Sequence, residues 1–105
     1  MTGLPGRTHI TARALDRLAA GLARDAAEVS LRHVKTNLAD SSGELAVSVA
    51  VPIALGGGSG GTVTERGEKV RESVRRGMRE LAGRTVNEVE VTFTGVLRTQ
   101  ERRVQ

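Results

Sequence analysis

Three groups of residues in this chain have types and spacings that could do chemistry. The first is the run Gly56-Gly57-Gly58-Ser59-Gly60-Gly61, in which Gly56, Gly58 and Gly61 match G-x-G-x-x-G. It lies between a strand-like and a helix-like segment, where amides at a helix N-terminus can hold a phosphate. Gly57 and Gly60 also have the G-x-x-G spacing of the loop that grips nucleic-acid backbone in KH-type domains. The second group is Arg71, Arg75 and Arg79, a ridge at i, i+4, i+8 that suits phosphates, lipid headgroups or an acidic partner. The third is the pair His9 and His33, the chain's only imidazoles.

Each group has a plainer reading. Five of the six loop residues are glycine, so any glycine spacing matches, and a flexible connector accounts for the run. A dinucleotide fold needs repeated crossover units and an acidic residue at the end of a second strand. Here Glu80 falls at about the right distance but inside a helix. No Lys-Ser or Lys-Thr follows the glycines, so this is not a P-loop. A KH loop joins two helices and usually carries basic residues, whereas this one joins a strand to a helix. The arginine ridge is equally a solvated face relieved by Glu68, Glu72 and Glu80. His9 and His33 share no acidic residue at a metal-ligand spacing, and no Ser, Asp and His group forms a triad. Neither a catalytic residue, a cofactor nor a metal is expected.

Composition narrows the classes further. The chain has 105 residues, one Phe, no Trp, no Tyr and no Cys. A length near a hundred residues accommodates one core, so a single domain over 1–105 is expected. Thiol chemistry and Cys-ligated metal are ruled out, as is a sheet that stacks bases on exposed rings. No apolar run approaches a membrane span or the core of a signal peptide, so a soluble, intracellular domain is expected. The net charge is +4. Residues 64–84 carry seven basic and four acidic groups, and 98–105 carry three and one. Positive charge thus collects on one segment and the tail, which is what a nucleic-acid-binding module would use.

The elements that must position these residues follow from periodicity. Residues 1–6, with two Gly and a Pro, form a loose lead-in, and a very short strand is expected around Ile10. Thr11 is placed to cap a helix from Ala12 to about Ala27, with Leu15, Leu18, Leu22, Ala26 and Val29 on its apolar face. A strand is expected within Val29–Leu38 and a turn over Ala39–Gly43. From Leu45 to Leu55, Leu45, Val47, Val49, Val51, Ile53 and Leu55 alternate with small residues, which predicts a strand with one buried face. The opposite face is small rather than charged, so it too is a candidate for cover. Pro52 cannot donate to a ladder, which puts this end at a sheet edge or beyond the neighbouring strand.

Thr62 and Glu65 have capping-box spacing and open a helix that reaches Leu81 or Ala82, with Gly83 as its stop. Its inner face reads Gly67, Val70, Val74, Gly77 and Leu81, and two glycines there predict close approach to a sheet. The outer face offers Glu65–Lys69, Glu72–Arg76 and Glu80–Arg84 as i, i+4 pairs. Val86–Val96 predicts a last strand, with Val89, Val91 and Phe93 inward and Glu88, Glu90, Thr92 and Thr94 outward. Arg98–Gln105 is a polar, frayed tail. The order (β)αββαβ predicts an α+β fold, two helices on one face of a three- or four-stranded sheet. With the first strand formed, the order is that of the ferredoxin-like split βαβ.

The C-terminal half has a strand of alternating Val, a Gly break, and a helix with Val70 and Val74. Leu81-Ala82-Gly83 and the run Val86-Asn87-Glu88-Val89-Glu90-Val91-Thr92-Phe93-Thr94-Gly95-Val96 follow, and Gly6-Arg7-Thr8-His9-Ile10-Thr11 opens the chain. Over roughly residues 6–97 this resembles the bacterial alkaline shock protein family, also called the envelope-stress-response or general-stress family. The chain departs from it at Val29-Ser30-Leu31, where members usually have Gly-Val, and in a loop lacking the aromatic residue many members have. The resemblance implies a non-enzymatic cytoplasmic protein. It implies work beneath the cell membrane, through self-association into a homo-oligomer or through a membrane-anchored partner. A nucleic-acid-binding module using Arg71, Arg75, Arg79 and the basic tail is the alternative.

Overall fold

The computed structural model describes residues 11–55 and 61–98. The short strand expected around Ile10, the lead-in, Gly56–Gly60 and residues 99–105 lie outside the described residues. Within them run α1 (Ala12–Ala27), one 3-10 turn (Leu31–His33), β1 (Lys35–Ser41), β2 (Glu44–Leu55), α2 (Val63–Ala82) and β3 (Val86–Arg98). Arg98, where the polar tail was expected to start, still belongs to β3.

The fold is α+β, with both helices on one face of a sheet ordered β1-β2-β3. β1 and β2 pair antiparallel, and β2 and β3 pair parallel across the α2 crossover. The two parallel strands are hydrogen-bonded neighbours with no strand between them. The crossover is therefore a plain βαβ unit, and a ferredoxin-like split, which inserts a strand there, is not the order of this sheet.

α1 starts where Thr11 Oγ1 accepts from the amide of Ala14 at 3.1 Å. It ends as Glu28 turns left-handed at φ 60°, a position where glycine is usual, with its carboxylate 3.5 Å from Lys69 Nζ. Its buried face is Leu15, Ala19, Ala23 and Ala26, while Leu18 and Leu22 flank it half-buried. The leucine stripe read from spacing is thus displaced toward the alanines, because close helix packing favours the smallest side chains at the contact. Val29 lies beyond the helix. Thr36 Oγ1 donates to Asp16 Oδ1 at 2.5 Å and ties α1 to β1.

The expected five-residue turn contracts to Ser42-Gly43, with φ of 55° and 85°. Two successive positive φ values are those of a type I′ turn, whose twist matches the flanking strands. The amide of Gly43 donates to Asp40 Oδ1 at 3.2 Å.

In β2, Leu45, Val47, Val49 and Val51 are buried as the alternation predicts. The phase then flips. Ala54 is buried, while Ile53 and Leu55, which alternation placed inward, are half-buried. The change falls beside a register irregularity, where Pro52 of β2 faces two residues of β3, Thr94 and Gly95, between the pairs Val51↔Phe93 and Ile53↔Val96. Pro52 itself lies beyond the last pairing with β1, Lys35↔Ala50, so no β1 group needs its missing donor.

α2 opens on the full capping box. Glu65 N donates to Thr62 Oγ1 at 3.1 Å, and Thr62 N donates to Glu65 Oε1 at 3.0 Å. Gly83 closes the helix at φ 66°, donating to the carbonyls of Arg79 and Met78. Thr62→Ala removes one half of the box and is expected to lower stability by about 1 kcal/mol, read as an equilibrium denaturation midpoint. The buried face is Gly67, Val70, Val74, Gly77 and Met78. Leu81, expected inside, is 65% exposed, and Met78 fills the core instead.

The two helix glycines serve different contacts. A Cβ on Gly67 would lie 3.7 Å from Phe93 Cε2, ordinary contact with the sheet. A Cβ on Gly77 would lie 2.4 Å from Leu22 Cδ2. Gly77 therefore allows close approach to α1, where a sheet contact was expected.

Candidate interaction surface

The described residues bury no polar or charged side chain. The core is Val, Leu, Ala and Met, so groups able to recognise anything lie on the surface. Four surface regions follow from the fold of the described residues: the N-terminus of α2, the arginine ridge, the face of the sheet away from the helices and the outer edge of β3.

The N-terminus of α2 already holds an anion. The Glu65 carboxylate accepts from Thr62 N, and Thr62 Oγ1 takes the amide of Glu65. A phosphate there would meet a like charge in place of free donors. Arg66 reaches back with Nε on Gly61 O at 3.1 Å and Nη1 on Ala54 O at 2.9 Å, fastening the helix start to the end of β2. Of the glycines in the two motif readings, only Gly61 lies among the described residues.

The ridge is not uniform. Arg71 is committed: its Nε donates to Val89 O at 3.0 Å and its Nη1 pairs with Glu68. Arg75 and Arg79 have no hydrogen bond or ion pair among the described residues. Glutamate relief of the ridge is thus local to Arg71. Of the three i, i+4 pairs read from sequence, Glu72–Arg76 closes to 3.9 Å, too long for a hydrogen bond. Glu65 is spent on the cap and Lys69 turns to Glu28. Arg84 leaves Glu80 for Asp40 at 3.1 Å, joining the end of α2 to the β1–β2 hairpin.

The face of the sheet away from the helices is uncovered among the described residues. Its rows are Ala39–Ala46–Glu88, Asn37–Ser48–Glu90 and Lys35–Ala50–Thr92, all exposed or half-exposed. The cover that the small side chains on β2 suggested is not supplied by the described residues. His33 sits half-buried on the 3-10 turn, and His9 lies outside the described residues.

The fourth region is a groove between α2 and the outer edge of β3, unpaired among the described residues; reading the half-exposed last strand and the sheet edges as docking surfaces did not locate it. Val63, Thr64, Gly67, Glu68, Arg71, Val91 and Phe93 line about 260 Å³ there. Val63 is 55% exposed, and Val96, farther along the strand, is 62% exposed. The signal was present in part. Val63, Gly67 and Arg71 repeat at i, i+4, i+8 beside the inner face, but only pairing with β2 shows that the other side of β3 is an edge. Comparison of the chain with family models, curated proteins and solved structures gave no match.

Proposed function

We propose that this chain is a non-catalytic interaction or scaffold protein, acting in the envelope stress response beneath the cell membrane. Its surface meets other proteins, through self-association or a membrane-anchored partner. The observation that carries this reading is where the polar groups lie. The core is wholly apolar, while one sheet face and the β3 edge present backbone, small residues and unpaired charge outward. The motif resemblance supplies the cellular setting. No helix of the described residues is long and apolar enough to cross a membrane.

The test is capture from the host with a tagged full chain, combined with light scattering over a wide concentration range. Recovery of the same chain or of a membrane-anchored protein is expected. A chain that stays monomeric at high concentration and recovers no envelope protein overturns the proposal.

One observation favours a second reading. Arg75 and Arg79 are unpartnered among the described residues, as phosphate-contacting arginines would be. If the chain binds nucleic acid through them, affinity falls steeply with salt, and R75A/R79A lowers the slope of log K against log salt by about 2. No binding to RNA or DNA at low salt removes this reading.

A further inference from the structure

The sheet is narrower than the layer of helices that covers it. Two packed helices span about 20 Å, whereas three strands about 4.8 Å apart span about 14 Å. One strand's width is left over. α2 sits toward the β3 side of that layer, since Gly67 faces Phe93 and Arg71 reaches Val89 O. It therefore overhangs the free edge of β3 and roofs the groove described above.

The backbone of that edge is available. Val89 O takes a guanidinium from α2, so it points away from β2. Backbone groups alternate sides along a strand, so the amides and carbonyls of Val91 and Phe93 point the same way. β3 pairs only with β2 among the described residues. Val91, Phe93, Val63 and Gly67 make the apolar floor and roof. Arg71 lines the groove on the side of Val89, and helical spacing puts Arg75 one turn farther along the same side of α2. Glu68 also lines it, but its charge is matched by Arg71. On the opposite side of the same edge, Glu88 and Glu90 are exposed.

We propose that the β3 edge is a strand-addition site for an extended segment of a partner protein. The partner strand lies under α2. Its helix-facing side chains are apolar against Val91 and Phe93 and acidic beside Arg75, since Arg71 is already paired with Glu68. Its alternate side chains, which pass Glu88 and Glu90, are neutral or basic. Main-chain hydrogen bonds supply affinity, and the alternating charge supplies register. A second copy of this chain does not fit in the same way, because two-fold pairing of β3 with β3 would drive the two overhanging α2 helices into each other. The proposal rests on the interaction reading above and names the surface and the chemistry of the partner.

The experiment uses the full 15N-labelled chain. In the free protein, fast amide exchange at Val91 and Phe93 is expected, with Thr92 protected by β2; protection of Val91 and Phe93 in the monomer overturns the proposal. The immobilised chain is then used to select from a displayed library of random peptides, and the recovered peptides are titrated. Convergence on alternating sequences with acidic residues at one end is expected, with shifts at Val91 and Phe93. Two variants are expected to weaken binding about tenfold or more. R75E reverses the charge one turn beyond Arg71. V91P removes one outward donor, a change edge strands accept because the ladder to the inner neighbour is untouched. Recovery of no peptide, peptides without the acidic end, or binding indifferent to both variants overturns the proposal. If V91P chain still captures from the host every protein that the unaltered chain captures, the edge assignment falls and the interaction reading stands. If the unaltered chain captures none, both fall.

Discussion

Met78→Ala is expected to cost about 2–5 kcal/mol, while Leu81→Ala is expected to stay within about 0.5 kcal/mol. Met78 is fully buried, among the largest side chains with no solvent exposure, and packs in one cluster with Val70, Val74, Val47 and Val49. Its removal leaves a cavity that valines, stiff at χ1, cannot collapse to fill. A domain of this size has total stability of roughly 5–15 kcal/mol, so the loss is a large share of it. At roughly 4–8 °C per kcal/mol for domains near this size, the melting temperatures of the two variants should differ by roughly 6–40 °C. Circular dichroism melts of both variants check this. Equal losses at 78 and 81 would place the core one turn farther along α2 than the structure does.

A second large effect is expected at the helix crossing. Gly77→Val places a branched side chain where Leu22 already stands, since even a Cβ would fall 2.4, 2.6 and 3.0 Å from Leu22 Cδ2, Cδ1 and Cγ. Overpacking of this kind costs about 1–3 kcal/mol. Gly77→Ala is the finer probe, because two terms oppose. Alanine improves helix propensity by about 1 kcal/mol over glycine, but its methyl must displace the Leu22 side chain. In a Leu22→Ala background the obstacle is gone and the propensity gain remains. Gly77→Ala should therefore stabilise the L22A protein while lowering or barely changing the stability of the parent. A double-mutant cycle by urea denaturation reads the coupling, expected at about 1 kcal/mol or more. Additive effects would mean that α1 and α2 do not touch at this point.

How much of this could be read beforehand differs from element to element. The ends of α1 and α2 were legible because capping is local chemistry: Thr11, Thr62, Glu65 and Gly83 act on amides and carbonyls within a few residues. The buried valines of β2 were legible because strict alternation admits one phase. That phase failed after Val51, beside the ladder irregularity at Pro52, where Ala54 is buried and Ile53 only half-buried. Leu81 failed for another reason. By helical angle it lies on the inner face, but angle says nothing about how far the opposite surface extends, and nothing among the described residues covers it. The ridge of Arg71, Arg75 and Arg79 was legible as a row. Its division into one committed arginine and two without partners was not, because Val89 O lies 18 residues from Arg71 in sequence.

By itself, the sequence determined the α+β class, the number and order of the main elements, the caps, and a small-residue core with nearly no aromatics. These are set by period, by neighbours within a turn, and by which side chains water rejects. Only the tertiary structure decided that β2 and β3 pair directly and that Gly77 meets α1. It also decided that Met78 is inside and Leu81 outside, and that α2 lies against β3, whose outer edge has no strand partner among the described residues. Each of these depends on which surfaces meet across long stretches of chain. A pattern along one segment specifies its own face, but the partner of that face is fixed only when all the layers pack at once.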